Sequence, residues 1–244
     1  MIKRGFLKEN MANSARNQPG TERTVSQSNT TTIEPLDNLQ GFYENNKKRL
    51  STIATIVIVV VGGYLAYTKL VKGPNEEKAA NAMSYPQTYF MMDSLDLALN
   101  GDGQHQGFTK IAKKYDGTAS GNLALYYEGI CYLKKGDFKN AIKSLKSFDG
   151  KGTMLSYQAW GALGEAYMED GDSNNAIDAF KKATGDKDNI MLTPMYLFQL
   201  GLAYEKGGNN NGAKDAFKRI RDEFPRSMQA QNVDKELGRL GEIN

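Results

Sequence analysis

Apolar residues are distributed along this chain in two different ways. Between Arg49 and Lys69 they run almost without interruption, as LSTIATIVIVVVGGYLAYT, 19 residues with no charge. A helix of that length spans roughly 28 Å, the hydrocarbon thickness of a bilayer. Ile56 to Val61 are all β-branched, a run that in water favours a buried strand. No equally apolar partner strand occurs elsewhere in the sequence, and in lipid every backbone group has to be satisfied within the segment, which selects a helix. Tyr64 and Tyr67 suit an aromatic belt, and Lys69 and Lys72 reach the head groups. The polar front before the run is too long for a secretory signal, and no small-x-small site follows Leu65, so residues 50–71 read as an anchor.

Beyond this run the apolar residues recur at helical spacing and in register with one another. Leu125-x-x-Glu128-Gly129-x-x-Tyr132 aligns with Trp160-x-x-Leu163-Gly164-x-x-Tyr167 and with Leu197-x-x-Leu200-Gly201-x-x-Tyr204, the glycines falling 35 and 37 residues apart. Gly136, Gly171 and Gly208 keep the same step, as do Ala141, Ala176 and Ala213, then Leu145, Phe180 and Phe217, with Pro225 closing the third unit. This resembles the tetratricopeptide (TPR) pattern, a helix–turn–helix unit of about 34 residues. The first glycine and the alanine are small where two antiparallel helices cross, and the Tyr and Phe fill the surrounding space. The second glycine suits a left-handed helix end, and Asp137 and Asp172 follow it as N-caps. Residues 122–225 therefore read as three repeats, with surplus residues in loops at Asp149–Leu155 and Gly185–Leu192.

Residues 72–121 carry a degenerate version of the same periodicity. Leu95, Leu97 and Leu99, then Phe108, Ile111, Ala112 and Tyr115, predict a linker and a fourth, atypical hairpin. Residues 226–244, with Met228, Val233, Leu237, Leu240 and Ile243 on one face, predict an amphipathic helix that caps the stack, as terminal repeats require. Ahead of the anchor, residues 1–38 are polar and rich in Asn, Ser, Thr and Gln, and read as a disordered tail; Met11 is a second candidate start. In 39–49, Leu39, Phe42 and Tyr43 recur before Lys47-Lys48-Arg49. Two readings fit this stretch: a juxtamembrane helix on the inner surface, or the solvated start of the membrane helix. The expected fold class is thus all-α, with a single N-terminal transmembrane helix followed by a TPR-type helical-hairpin solenoid.

Charge follows the same division. Residues 1–73 hold 10 Lys/Arg against 5 Asp/Glu, a balance of +5, while residues 74–244 hold 21 against 23, a balance of −2. The excess of Lys and Arg before the span, with Lys47, Lys48 and Arg49 abutting it, places the N-terminus in the cytoplasm. The near-neutral charge of the whole chain, +3, argues against a dedicated nucleic-acid binder. One Cys and one His exclude a disulfide framework and any site needing two imidazoles.

Stacks of this kind bind peptides or partner helices on a concave face lined by the first helix of each unit. The corresponding positions are Leu123, Tyr126, Tyr127, Ile130, Leu133 and Lys134 in unit one, and Met195, Phe198, Gln199, Leu202, Glu205 and Lys206 in unit three. Unit two contributes Gln158, Gly161, Ala162, Glu165, Met168 and Glu169. The candidate site is therefore Leu123, Tyr126, Tyr127, Ile130, Leu133, Met195, Phe198 and Leu202, around a smaller, partly acidic middle. No Lys/Arg/Asn cluster for a partner's carboxylates is present there, so the expected ligand is a hydrophobic chain segment or an amphipathic helix. The alternative is that the upstream hairpin fills the groove of unit one. Catalytic signals are weak. Gly150-Lys151-Gly152-Thr153 lacks the first glycine of a phosphate loop, Cys131 reads as a small buried residue, His105 as exposed in its loop, and Glu165 with Glu169 as a solvated face. No enzyme activity and no cofactor are expected.

The order of parts is similar to that of the YfgM-like proteins, ancillary subunits of the SecYEG translocon in bacteria with two membranes. The resemblance covers about residues 39–244 and rests on "LQGFYENNKK", the span ending "GGYLAY", the following "KAANAMSYPQTYF" and the repeats. It implies an inner-membrane protein with a periplasmic repeat domain. It also implies a complex with a PpiD-like membrane-anchored chaperone at the translocon exit, assisting newly exported proteins. The chain departs from the more acidic enterobacterial members in its long Asn/Ser/Thr tail and cleaner repeats, and its composition looks like a Bacteroidota version. Two other arrangements share the same parts: a scaffold in a different envelope machine, and a mitochondrial outer-membrane import receptor with cytosolic repeats.

Overall fold

The structure, a computed structural model, describes residues 34–242, with side chains from Phe42 onward. The readings of residues 1–33, including Met11, and of Ile243 lie outside the described residues. Among the described residues, helices account for the regular structure, and one isolated bridge pairs Gly101 with Gln106.

Helix α1 covers Glu34–Tyr67, a π-helical turn covers Thr68–Lys72, and α2 covers Gly73–Met91. Phe42–Met91 is long and apolar enough to cross a membrane, with its most apolar stretch unburied. The helix starts before position 39, inside the stretch read as disordered, and runs without a break into the apolar segment. Residues 39–49 thus belong to the same helix as the apolar segment. The chain divides into two units within α1, between Val57 and Ile58. On the far side no extended linker follows: Ile58–Tyr67 continues through the π turn into α2. Pro74 explains the turn. It has no N–H for the carbonyl four residues back and its ring crowds that carbonyl, and the Gly73 N–H bonds instead to the Thr68 carbonyl, five residues back.

Three helical hairpins follow: α5 (Ala119–Lys134) with α6 (Phe138–Ser147), α7 (Leu155–Glu169) with α8 (Ser173–Ala183), and α9 (Leu192–Lys206) with α10 (Asn210–Glu223). A Cβ on Gly129 would stand 2.5 Å from Leu145 Cγ; on Gly164, 2.6 Å from Phe180 Cε1; and on Gly201, 2.4 Å from Phe217 Cε1. The glycine of the first helix is thus the bed for the large residue of the second, and Ala141, Ala176 and Ala213 are fully buried nearby. Gly136, Gly171 and Gly208 take positive φ at the turns. The next residue caps the second helix: Asp137, Asp172 and Asn209 accept hydrogen bonds from the backbone N–H of Asn140, Asn175 and Gly212. A further hydrogen bond from the Asn175 side chain, followed by the backbone bond, holds the Asp172 carboxyl below its ordinary value.

The degenerate upstream hairpin has a first helix, α2, and a second helix broken into α3 (Leu95–Asn100) and α4 (Phe108–Lys114). The intervening loop is pinned to α2. Asp102 accepts hydrogen bonds from Tyr89 Oη (2.7 Å) and from the backbone N–H of Gln104 and His105. The His105 ring lies 2.8 Å from Asp102 Oδ2 and stacks on Tyr85. His105 and the other donors hold the Asp102 carboxyl far below its ordinary range. His105 is therefore half-buried and structural, where the sequence predicts an exposed loop residue.

The first helices run parallel. Lys134 at the end of α5 pairs with Asp93 just past α2 (2.5 Å), Lys206 of α9 donates to the Met168 carbonyl of α7 (2.6 Å), and Arg239 of α11 (Ala230–Arg239) pairs with Glu205 of α9 (2.6 Å). At the other end Glu76, in the first turn of α2, accepts hydrogen bonds from Ala119 N (2.5 Å), Ser120 N (2.9 Å) and Ser120 Oγ (2.6 Å). A side chain of the upstream helix thereby caps the first repeat. Burial alone would raise the Glu76 carboxyl, but the bonds from Ser120 and Ala119, with Lys72, outweigh it and leave it below its ordinary value. Helix α11 covers the open end with Val233 and Leu237. Met228, expected on its buried face, is exposed in the preceding loop.

Gly164→Ala is expected to destabilise the detergent-solubilised protein by about 1–3 kcal/mol, because the added methyl meets a buried ring. Gly238→Ala, in an exposed helical position with nothing near its Cβ, is expected to stabilise by about 0.5–1 kcal/mol. Chemical denaturation distinguishes the two signs.

Glu76→Gln is expected to lower the melting temperature at pH 7. The carboxylate's contribution is fully present above its unfolded pKa of about 4.3 and fades as pH falls through the depressed folded value. The wild-type and variant melting curves are therefore expected to converge in acid.

Candidate functional site

The inner positions of the three repeats do not form one uniform groove. Leu123 and Tyr127 of α5 face the upstream helices: Tyr127 stacks on Phe108 of α4 at 5.1 Å and meets Phe90 of α2 edge-on at 5.3 Å. The upstream hairpin occupies this part of unit one. Tyr126 and Ile130 turn the other way, into the seam between α5 and α7, where Tyr126 packs on Phe148 and its hydroxyl lies 3.4 Å from Gln158 Oε1. Met195 and Phe198 pack against the core of the third repeat, Phe198 lying 5.5 Å from Phe217. All eight predicted residues are half-buried.

Two of the eight, Leu133 and Leu202, line a common cleft of about 640 Å³ between the C-terminal halves of α5, α7 and α9. Lys134, Glu165, Met168, Glu169 and Gln199 complete its inner wall. One residue from outside the predicted set shapes its neighbourhood. The Tyr196 ring lies across Gly161, where a Cβ would come within 2.1 Å of Cε1. Gly161 is small because the next repeat's tyrosine occupies its place, a relation invisible in the repeat pattern.

Glu165 gives the cleft its electrostatic character. It is half-buried, and no hydrogen bond or ion pair reaches its carboxylate among the described residues. Burial, and then the Glu169 charge one turn on, push its carboxyl up. Its own charge adds to burial in pushing up the Tyr126 and Tyr196 hydroxyls. The sequence predicts a solvated acidic face at Glu165 and Glu169, and the packing of α5 and α9 around α7 makes it a partly dry one. The arrangement is suited to an apolar segment carrying a cation.

The other candidate groups are structural in place. Cys131 is buried and its thiol is pushed up to about 12, chiefly by desolvation. Gly150–Thr153 forms a turn closed by Thr153 Oγ1 donating to the Gly150 carbonyl.

Family models of the tetratricopeptide repeat match residues 123–149, 157–185 and 196–227, which are the α5–α6, α7–α8 and α9–α10 hairpins. The chain carries three tetratricopeptide repeats. This is a protein-interaction fold, here joined to a helix long and apolar enough to cross a membrane. No curated protein matches the chain significantly.

Glu165→Gln is expected to raise the melting temperature at pH 7. Because the folded carboxyl is raised, its contribution to stability is fully present below the unfolded pKa of about 4.3 and is lost as pH rises through the folded value. The advantage of the Gln variant is therefore expected near neutrality and to vanish below about pH 4, the reverse of the Glu76 profile.

Proposed function

We propose that this chain is a membrane-anchored adaptor whose inner cleft captures an apolar segment bearing a basic side chain. The observation that carries the reading is the unpartnered, half-buried Glu165 carboxylate set among Leu133, Met168 and Leu202. A partner's Lys or Arg beside Glu165 relieves the cost of keeping that charge partly dry, while its apolar neighbours cover the leucines and methionine. Binding and charge compensation thus reinforce each other.

The parallel with YfgM-like proteins extends the reading to a place of action. The repeats then stand in the periplasm of a two-membrane bacterium, with the N-terminus in the cytoplasm, beside SecYEG and a PpiD-like chaperone. The captured segment is a helix of that chaperone or a hydrophobic stretch of an exported protein. Support comes from the order of anchor and repeats, the motifs flanking the anchor, and an inner cleft that suits an amphipathic ligand.

A photocrosslinker at Met168 in native membranes, read by mass spectrometry, is expected to capture translocon or chaperone subunits. Leu202→Glu and Glu165→Lys are each expected to lower that yield at least about tenfold, equivalent to about 1.4 kcal/mol. Undiminished crosslinking in both variants would place the partner elsewhere, and crosslinks lacking SecY and any chaperone would remove the translocon assignment.

A further inference from the structure

The two long edges of the helical array differ in chemistry. One edge gathers the C-terminal ends of the first helices with the tight turns at Lys135–Asp137, Asp170–Asp172 and Gly207–Asn209. These turns are small and polar, and Met91 and Met92 at the end of α2, with Leu97 of α3, are exposed large apolar residues near them. The other edge gathers the N-terminal ends of α2, α5, α7, α9 and α11 with the longer loops between hairpins. Those loops expose Met154 (62%), Ile190 (75%), Met191 (78%) and Met228 (80%). Such exposures at loop tips contribute nothing to the core, and three successive loops repeat them.

Charge separates the edges in the same way. Each second helix ends at the loop edge with a basic last turn, as in Lys113, Lys114 and Lys146, and the loops add Lys151, Lys187 and Arg226, all exposed. Several acidic residues there are engaged locally, while Glu77 and Asp188 are exposed. Asp116, Asp149 and Asp186 accept backbone N–H bonds within their own turns, and Glu223 pairs with Arg219.

The loop edge is also the edge at which the apolar helix arrives. Glu76, which caps α5 at that edge, lies nine residues beyond Tyr67, about 13 Å along a helix. The polar layer on each side of a bilayer is roughly 5–8 Å deep. Ile58–Tyr67 and the repeats belong to the same unit, so this separation is set within one body.

We propose that the loop edge is a membrane-docking edge: Met154, Ile190, Met191 and Met228 enter the interfacial layer, and the surrounding lysines and Arg226 meet anionic head groups. Apolar side chains ringed by basic ones are the composition by which peripheral segments bind lipid. Attachment through the span makes each contact intramolecular, so weak individual contacts suffice. Docked in this way, the array lies along the bilayer with its turn edge, and the cleft between the C-terminal halves of α5, α7 and α9, turned away from the surface. The inference rests on reading the apolar segment as a span, and is independent of what the cleft binds.

The test uses the full chain reconstituted in phosphatidylethanolamine vesicles containing one-quarter phosphatidylglycerol. An environment-sensitive fluorophore is placed on Met154→Cys, Ile190→Cys or Met228→Cys, and on Lys139→Cys or Asp170→Cys at the opposite edge. The unsubstituted chain, with its buried Cys131, serves as the blank. Brominated lipids are expected to quench the three loop labels several-fold more than the two opposite-edge labels, and less so in pure phosphatidylcholine. Equal quenching at both edges overturns the proposal. So does protection of the loop labels in native membranes but not in vesicles, because a protein then covers the edge. A label on Ile56→Cys reports the span separately: quenching there without quenching at the loops leaves the anchor standing and removes the docking.

Discussion

Two antiparallel helices approach one another only as closely as the side chains at their crossing allow. In each of the three repeat hairpins the crossing is made by a residue without a side chain. Gly129, Gly164 and Gly201 leave room for Leu145, Phe180 and Phe217, whose rings or branches would overlap any Cβ placed there. That close approach buries the alanines of the second helices and sets the separation of the layers. The turns depend on it as well, since a capped second helix must start at once to meet its partner: a left-handed glycine reverses the chain and Asp137, Asp172 or Asn209 supplies the first hydrogen bond.

The upstream segment joins the array by satisfying the same requirements in a different way. Helix α2 lies parallel to the first helices of the repeats, and its Glu76 supplies acceptors to the N-terminal N–H groups of α5. These are groups that a helix start leaves unpaired. Its second helix is interrupted between Asn100 and Phe108, and Asp102 fastens the interruption back onto Tyr89. Phe90 and Phe108 then occupy the inner side of the first repeat through Tyr127. The same contacts that terminate the array therefore remove part of its concave face, and displace the open cleft toward α7 and α9.

In that cleft, packing changes what an acidic residue means. Glu165 on an isolated helix is a solvated charge. Between α5 and α9, with Glu169 one turn away, it is a charge held partly out of water without a partner among the described residues. The same neighbours place Tyr196 over Gly161, which makes that glycine a contact surface between repeats.

The sequence alone was enough to read the apolar run, the repeat, the crossing glycines, the turn glycines and the aspartate caps. Each of these is local: its physical cause lies within one helix, one turn or one hairpin, where spacing along the chain is spacing in space. The capping of α5 by Glu76, more than 40 residues away, the anchoring of Asp102 to Tyr89, the orientation of Tyr127 toward α2 and α4, and the exposure of Met228 were decided by tertiary structure. So was the reduction of eight inner-face residues to a cleft that includes Leu133 and Leu202. Helical periodicity states which residues share a face, but only the packed neighbours decide whether that face meets another helix, the core, or open space.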